Sequence, residues 1–406
     1  MKAVLPMNCK ITNDGFDIFK SVKTSAIRSG IKKKGEDLAL IYFERQATFA
    51  AVFTTNKVKA HCVIYDEELL KTQQNIRAVL INSGNANACN INGAQAIQDV
   101  TKALSTVLNI KQNEIFIAQT GIIGEEFPTK KVTNALAKLK NNLGKNSQNL
   151  ARAILTTDKI PKIISIECEY AGVIFHIGAV AKGAGMIHPN MATMLSFIVT
   201  DLKITQNILK VALKEAVDKS FNRISVDGDM STNDTVFIAS LNKVGDLINE
   251  ENEFYRYFVD KLTECCVYLA KEIVKDAEGA TKFCEVLVFG ADKDEDAQKV
   301  ARSIANSLLV KTAIFGKDPN WGRIIAAVGY SGANIDVEKL EIKIGDFLVY
   351  SWGRPQEFDK IALLEYMRQN DSIKIYINLN IGASNFNLYF SDLTYEYIKI
   401  NAQYHT

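Results

Sequence analysis

Between Lys182 and Asp201 the chain reads KGAGMIHPNMATMLSFIVTD, and its centre places a threonine where the hydroxyl could attack its own backbone. Thr193 follows the small residue Ala192, lies in an apolar run and is reached through a Gly-rich approach. Attack of a side-chain oxygen on the preceding carbonyl needs small neighbours, a constrained backbone and little competing water. Gly183 and Gly185 let the backbone pass close to another segment without a Cβ in the way. Pro189 fixes its own φ and biases His188 toward an extended conformation. If the Ala192–Thr193 bond breaks, Thr193 becomes an N-terminal residue whose α-amine can act as base to its own hydroxyl, the threonine form of nucleophile-plus-base catalysis. Such an amine has an unperturbed pKa of roughly 7.7–8.0, so it accepts the proton near neutral pH, as an amide nitrogen could not. A lone Ala-Thr pair would read as part of a buried strand; the length of the surrounding pattern is what favours chemistry.

Acyl chemistry also needs donors aimed at the developing oxyanion. Thr120-Gly121-Ile122-Ile123-Gly124 offers a hydroxyl beside a glycine N–H, although alone it reads as a turn after a strand at Ile115–Ala118. Glu278, flanked by small residues, could pair with an amino-bearing substrate through a charge-assisted hydrogen bond; alone it is a solvated helix-end carboxylate. The loop from Asn82 to Cys89 is rich in Asn and small residues, suited to packing near a reactive centre and equally to any tight turn. Ser220 to Thr235 looks like a calcium loop because of Asp227, Asp229, Ser231 and Asn233. Thr232 stands where that loop needs glycine and Ile238 where it needs its last carboxylate, so no metal is expected.

The run K-G-A-G-M-I-H-P-N-M-A-T-M-L closely resembles the self-cleavage segment of the ornithine acetyltransferase family, the glutamate N-acetyltransferases of arginine biosynthesis. Further segments resemble it too: Thr120-Gly121 with Gln119 in place of the usual serine, Thr156-Thr157-Asp158, SFNRISVDGD from Ser220, Asp276-Ala277-Glu278-Gly279-Ala280, DPNWGR from Asp318, and the terminus from Ile400 to Thr406. Together they run from about Leu38 to Thr406. The resemblance implies cleavage between Ala192 and Thr193, Thr193 as nucleophile, and Thr120 and Gly121 as the oxyanion hole. It also implies substrate contacts by Thr156, Lys182, Thr193, Glu278, Asn401 and Thr406. The implied reaction carries acetyl from N-acetyl-L-ornithine to L-glutamate by way of acetyl-Thr193, without a cofactor. The implied fold is an α/β arrangement of paired β-sheets between helices, and the implied assembly has two α and two β chains from one precursor. Some family members also accept acetyl-CoA. No Q/R-x-x-G-x-G/A segment and no long basic run occur here, so acetylornithine is expected to be the better donor. Two rival readings are a self-cleaving aminopeptidase that passes the acyl group to water, and a binding protein that stays uncut.

The 406-residue length allows two or three domains, and a net charge of +2 gives no reason to expect nucleic acid or an anionic membrane as partner. Seven cysteines without C-x-x-C spacing read as free thiols of a reducing compartment. The N-terminus lacks a signal-peptide core and no apolar run spans a bilayer, so a cytoplasmic location is expected. The motifs must be held by alternating elements. Leu38–Phe43 and Ala47–Phe53 read as a strand pair turning at Glu44–Gln46. Helical spacing appears at Ile97–Leu108 and at Val132–Leu143 with Gly144 as cap, then near Thr205–Lys219, Phe254–Ile273 and Asp294–Leu308. Strands are expected at Arg77–Asn82, Val173–Val180, Thr235–Ser240, Cys284–Phe289, Leu340–Ile344, Phe347–Ser351, Ile373–Asn378, Phe386–Phe390 and Tyr397–Asn401. This divides the chain into a catalytic α/β region, 1–282, and a smaller strand-rich α/β domain, 283–406, whose terminus reaches the active site.

Overall fold

The computed structural model describes residues 9–188 and 194–403; Ala192, Thr193 and Thr406 therefore lie outside the described residues. The chain opens with β1 (Cys9–Thr12), β2 (Val22–Ile27), β3 (Leu38–Phe53), α1 (His61–Thr72), β4 (Asn75–Asn85), α2 (Gly93–Leu108) and β5 (Ile115–Ile122). It continues through α3 (Thr129–Asn141), α4 (Ser147–Ala153), β6 (Lys162–Tyr170), β7 (Val173–Lys182) and β8 (Leu195–Ile204). Next come α5 (Gln206–Asp218), β9 (Ile224–Ser225), β10 (Thr235–Ile248), α6 (Glu253–Lys275), β11 (Phe283–Ala291), α7 (Asp294–Asn306) and α8 (Leu308–Phe315). The chain closes with α9 (Trp321–Gly329), β12 (Glu341–Ile344), β13 (Phe347–Ser351), β14 (Arg354–Pro355), α10 (Lys360–Gln369), β15 (Ser372–Asn378), β16 (Ser384–Ser391) and α11 (Tyr395–Gln403).

A large mixed sheet carries the order β1-β6-β7-β8-β10-β3-β4-β5, with β2 added along β3. Its central strands are covered on both faces, and β8 is accordingly buried at nine of its ten positions. One face meets α5 and α6 through Ile164, Ile177, Ile198, Ile238, Leu213 and Leu262. The other buries Phe49, Phe116, Phe197 and Phe237, whose rings lie 4.9–6.3 Å apart. Helices α1 to α3 pack through Val63, Val100, Leu104 and Leu136 onto Leu80 and Ile117. A second sheet, β14-β13-β12-β15-β11-β16-β9, builds its own core with α7 to α10. The architecture is thus α/β with two sheets and flanking helices. Among the described residues, no helix is long and apolar enough to cross a membrane.

Several elements depart from the sequence reading. The expected turn at Glu44–Gln46 is absent: β3 is one strand whose pairing with β4 jumps between Tyr42 and Ala47. The exposed residues form a bulge there, because each flanking half has a buried partner strand. Tyr397–Asn401 is helical, part of α11, and belongs to neither sheet. Asp294–Leu308 splits at Ser307, whose side chain accepts from the Val310 N–H and starts α8. Gly144 does not cap α3; it bridges to Thr24, and the α3 C-cap is Asn142. The free-thiol expectation fails for two cysteines. Cys9 and Cys168 face each other across β1 and β6 with Cα atoms 4.4 Å apart and form a disulfide, while Cys62, Cys89, Cys265, Cys266 and Cys284 are free. No local spacing could reveal a pair 159 residues apart.

Candidate active site

The last residues of β5 set the first wall. Thr120 and Gly121 are still in the strand, opposite Ser83 and Gly84 of β4. Gly121 has φ +133°, and a Cβ there would lie 2.3 Å from the Gly84 carbonyl carbon. Only glycine lets the two strand ends approach so closely. Behind Thr120, amides lock the backbone. The Gln119 side chain donates to Asn82 Oδ1 and accepts from Asn87 Nδ2, both at 2.9 Å. Asn233 Nδ2 donates to the carbonyls of Ala86 (2.7 Å) and Gln119 (2.9 Å). The Asn82–Asn87 segment therefore supports the oxyanion candidates from behind.

β7 ends at Lys182, which the register places opposite Leu195, the first residue of β8. Its Nζ donates to Thr156 Oγ1 at 2.8 Å and lies 3.8 Å from Asp158 Oδ2. Burial lowers the Lys182 pKa, with Asp158 pulling against that shift. Asp158 accepts from the Gly183 N–H (2.6 Å) and from Lys162 Nζ (2.8 Å). Burial alone would raise its pKa, but Lys182, Lys162 and the Gly183 N–H outweigh it and hold the carboxyl at about 2. Lys162 also donates to Asp276 at 2.7 Å, tying this corner to the residue that follows α6. A Thr-Thr-Asp turn thus supplies an acceptor for Lys182 and a counter-ion shared by the two buried ammoniums of Lys162 and Lys182.

Glu278 enters from the turn after α6. Its N–H donates to the Ala184 carbonyl at 2.9 Å, and its Oε2 accepts from Asn401 Nδ2 at 2.7 Å. A Cβ on Gly185 would fall 2.4 Å from Glu278 Cδ, so the Gly-rich approach is shaped to admit this carboxylate. In α11, Tyr397 and Asn401 stand one turn apart and point to the same side. The Tyr397 hydroxyl donates to Asp227 Oδ2 at 3.1 Å. Asp227 also accepts from the N–H groups of Met186 (2.6 Å) and Ile187 (2.8 Å). Burial raises the pKa of both Asp227 and Tyr397.

These groups enclose one cavity of about 320 Å³, lined by Thr120, Gly121, Thr156, Lys182, Glu278 and Asn401 together with Asp227, Asp229, Ser231, Asn233 and Tyr397. Six expected site residues therefore share one wall system, drawn from five separate parts of the chain. The acidic loop at Asp227–Asn233 and Tyr397 escaped the sequence reading as cavity residues. The only signal for the loop was its SFNRISVDGD pattern, and Tyr397 could be found only from helical spacing to Asn401. Gly185 and Met186, in the approach to Thr193, line this cavity. Just past Thr193, Met194 donates its N–H to Asp234 Oδ1 at 3.0 Å and accepts from the Thr235 N–H at 3.2 Å. The arrangement offers an oxyanion-type donor pair, one buried cation and several carboxylates within the volume of a small amino acid derivative.

The chain resembles known proteins along nearly its whole length. Residues 23–406 match the ArgJ family. A protein of Methanocaldococcus jannaschii named glutamate N-acetyltransferase is 43% identical over 389 residues, covering 93% of this chain and 96% of that one. A protein of Geobacter sulfurreducens named arginine biosynthesis bifunctional protein ArgJ is 43% identical over 393 residues, covering 95% and 99%. A crystal structure of the Bacillus halodurans protein of that name is 42% identical, with a TM-score of 0.49, covering 52% of this chain and all of that one. With near-complete coverage by family and relatives alike, the chain belongs to the ArgJ family.

Proposed function

We propose that this protein is an autoprocessed acetyltransferase that moves the acetyl group of N2-acetyl-L-ornithine to L-glutamate, giving L-ornithine and N-acetyl-L-glutamate. The reading rests on one observation above the rest: Thr120, Gly121, Thr156, Lys182, Glu278 and Asn401 line a single cavity together with Gly185 and Met186 of the approach to Thr193. In processing, Thr193 Oγ attacks the Ala192 carbonyl, the acyl group shifts from nitrogen to oxygen, and water hydrolyses the ester. The products are an α chain ending at Ala192 and a β chain beginning at Thr193.

In turnover, the freed α-amine takes the Thr193 hydroxyl proton as Oγ attacks the acetyl carbonyl of acetylornithine. The proton passes to the departing ornithine nitrogen, leaving acetyl-Thr193. The α-amine of glutamate then attacks that ester, and Thr193 regains its proton. Both tetrahedral intermediates carry an oxyanion, for which Thr120 Oγ–H and the Gly121 N–H are the donors. Lys182 suits a substrate carboxylate, with Thr156 orienting its ammonium. Glu278, held by Asn401, suits an amino group, and Thr406 completes the substrate contacts. Residues 1–282 form the catalytic region and 283–406 the second domain, with two α and two β chains in a cytoplasmic assembly.

A denaturing gel of freshly folded protein tests the processing, which should give two fragments, one starting at Thr193. Acetyl transfer in the presence of glutamate and of water alone tests the acceptor. A single full-length band from active enzyme defeats the nucleophile assignment, and equal rates of deacetylation with and without glutamate make the enzyme a hydrolase.

A further inference from the structure

Asp234 is a carboxyl that neither the oxyanion donors nor the substrate contacts employ. It stands where β10 begins, 1% exposed, beside Met194. Oδ1 accepts the Met194 N–H at 3.0 Å, while Oδ2 is buried with no hydrogen-bond partner among the described residues. The backbone is fixed as well: the Asp234 carbonyl accepts from the Thr54 N–H of the β3 end at 3.0 Å. Thr235 holds the Met194 carbonyl, and parallel pairing of β8 with β10 starts at the next residue pair, Leu195 with Thr235. The carboxyl is therefore immobile, and it grips the first peptide N–H after Thr193.

A buried acceptor left open is costly, on the order of 1–3 kcal/mol for a neutral group and more for a charged one. Burial raises the pKa of Asp234 well above the usual carboxylate range, against the Met194 N–H, the Lys182 ammonium and the nearby Thr54 hydroxyl and Ser231 N–H, which pull it down. The charge facing it among the described groups is Lys182 of β7, itself faced by Asp158, Lys162 and Glu278. An oxygen kept in this condition suits a cation that arrives later. Cleavage makes one: before it Thr193 has an amide nitrogen, and after it an α-amine that protonates to an ammonium, one residue from the Met194 N–H.

We propose that Asp234 is the positioning residue of the nucleophile, with Oδ1 fixing the Met194 N–H during self-cleavage and Oδ2 accepting a hydrogen bond from the α-amine that cleavage frees on Thr193. This rests on the assignment of Thr193 above. Before the cut, Oδ1 restrains the peptide that carries the attacking hydroxyl. After the cut, the carboxyl's proton can pass to the amine nitrogen, leaving carboxylate beside ammonium with no change in net charge. A carboxylate next to an amine stabilises its protonated form, so Asp234 raises the pH at which that amine becomes a base.

Two variants separate the halves of the role. Asp234→Ala removes both acceptors and should slow self-cleavage of the precursor by about 10²-fold, the scale expected when a reacting group is misplaced by about 1 Å. Asp234→Asn keeps an acceptor for the Met194 N–H and loses the charge. It should rescue cleavage relative to Asp234→Ala, while the α-amine of Thr193 titrates about one unit lower. That titration is read directly from the pH dependence of N-terminal carbamylation by cyanate, and again from the acid limb of kcat/KM. An unchanged Thr193 titration in the Asp234→Asn enzyme, or wild-type cleavage in Asp234→Ala, overturns the inference. If Asp234→Ala fails to fold, the Asp234→Asn titration decides alone. An unsubstituted protein that never cleaves refutes the assignment of Thr193 instead, so the two failures are distinguishable.

Discussion

Thr120, the proposed oxyanion donor, follows a residue whose backbone and side chain are both held by amides. Gln119, where the family resemblance leads one to expect serine, spans Asn82 and Asn87 with its amide and fills the space behind the strand end. Thr120→Ala should lower transfer by about 10²–10³-fold with unchanged cleavage-site identity, the usual cost of one lost donor; steady-state kinetics on acetylornithine and glutamate check this. Thr193→Ala should abolish cleavage and transfer together, whereas Thr193→Ser should retain some of each because a hydroxyl remains. Gel bands and acetyl transfer read both outcomes. Asp158 gives a pH-linked test. Its folded pKa of about 2 lies below the ordinary carboxylate value of about 3.9, so its stabilisation is present above pH ~4 and is lost as pH falls through about 2. The contribution at neutral pH is on the order of 2 kcal/mol. Asp158→Asn should therefore be clearly less stable at pH 7, with the gap to the unsubstituted protein narrowing below pH ~3 in denaturant titrations. At this scale Thr120-Gly121 and Glu278 were singled out through the family resemblance, since alone they read as a turn and a helix-end carboxylate. Asp227 and Asp234 were hidden because a buried carboxylate and a loop carboxylate have the same letter.

Elements place these groups, and glycines decide how near they come. Gly185→Ala should push Glu278 out of the cavity, since the new Cβ would sit 2.4 Å from its carboxyl carbon. The expected result is a raised KM for amino acid substrates with stability little changed, measured by kinetics beside a thermal melt. Gly121→Ala meets backbone instead, at 2.3 Å, so it should part the ends of β4 and β5 and lose both activity and stability. Helical periods such as Ile97, Val100, Leu104 and Leu108 were readable because one face of α2 is buried along its length. The helix α11 was not, because none of its residues from Tyr395 to Gln403 is buried and its short apolar pattern fits a strand equally well. The bulge in β3 was misread for a related reason: Glu44, Arg45 and Gln46 are polar whether the chain turns back or merely bows outward. What separates the two cases is the neighbouring strand β4, which no local window contains.

The whole molecule must admit a donor as well as an acceptor. Acetyl-CoA would need donors for its phosphates, such as a glycine loop at a helix start, and the sequence carries no such segment of the usual type. Acetylornithine should give the higher kcat/KM at saturating glutamate; comparable values for acetyl-CoA would make the enzyme bifunctional. The α/β class was legible from alternating strand and helix patterns, but the order of strands was not, because pairing between distant segments leaves no periodic trace. That order has a consequence for the life of the protein. A cut between Ala192 and Thr193 assigns β1 to β7 to one polypeptide and β8 and β10 to the other, yet β8 and β10 lie between β7 and β3. After such a cut the two chains would share one sheet, with the adjacent β8–β10 pair of one chain held between β7 and β3 of the other. Separating them means tearing the sheet on two sides at once, and reassembling them means inserting a strand pair into a gap that would close on itself. Folding is thus a one-way passage made while the chain is still continuous, and enzyme once denatured after processing should stay inactive on return to native conditions, while uncleaved Thr193→Ala precursor should refold.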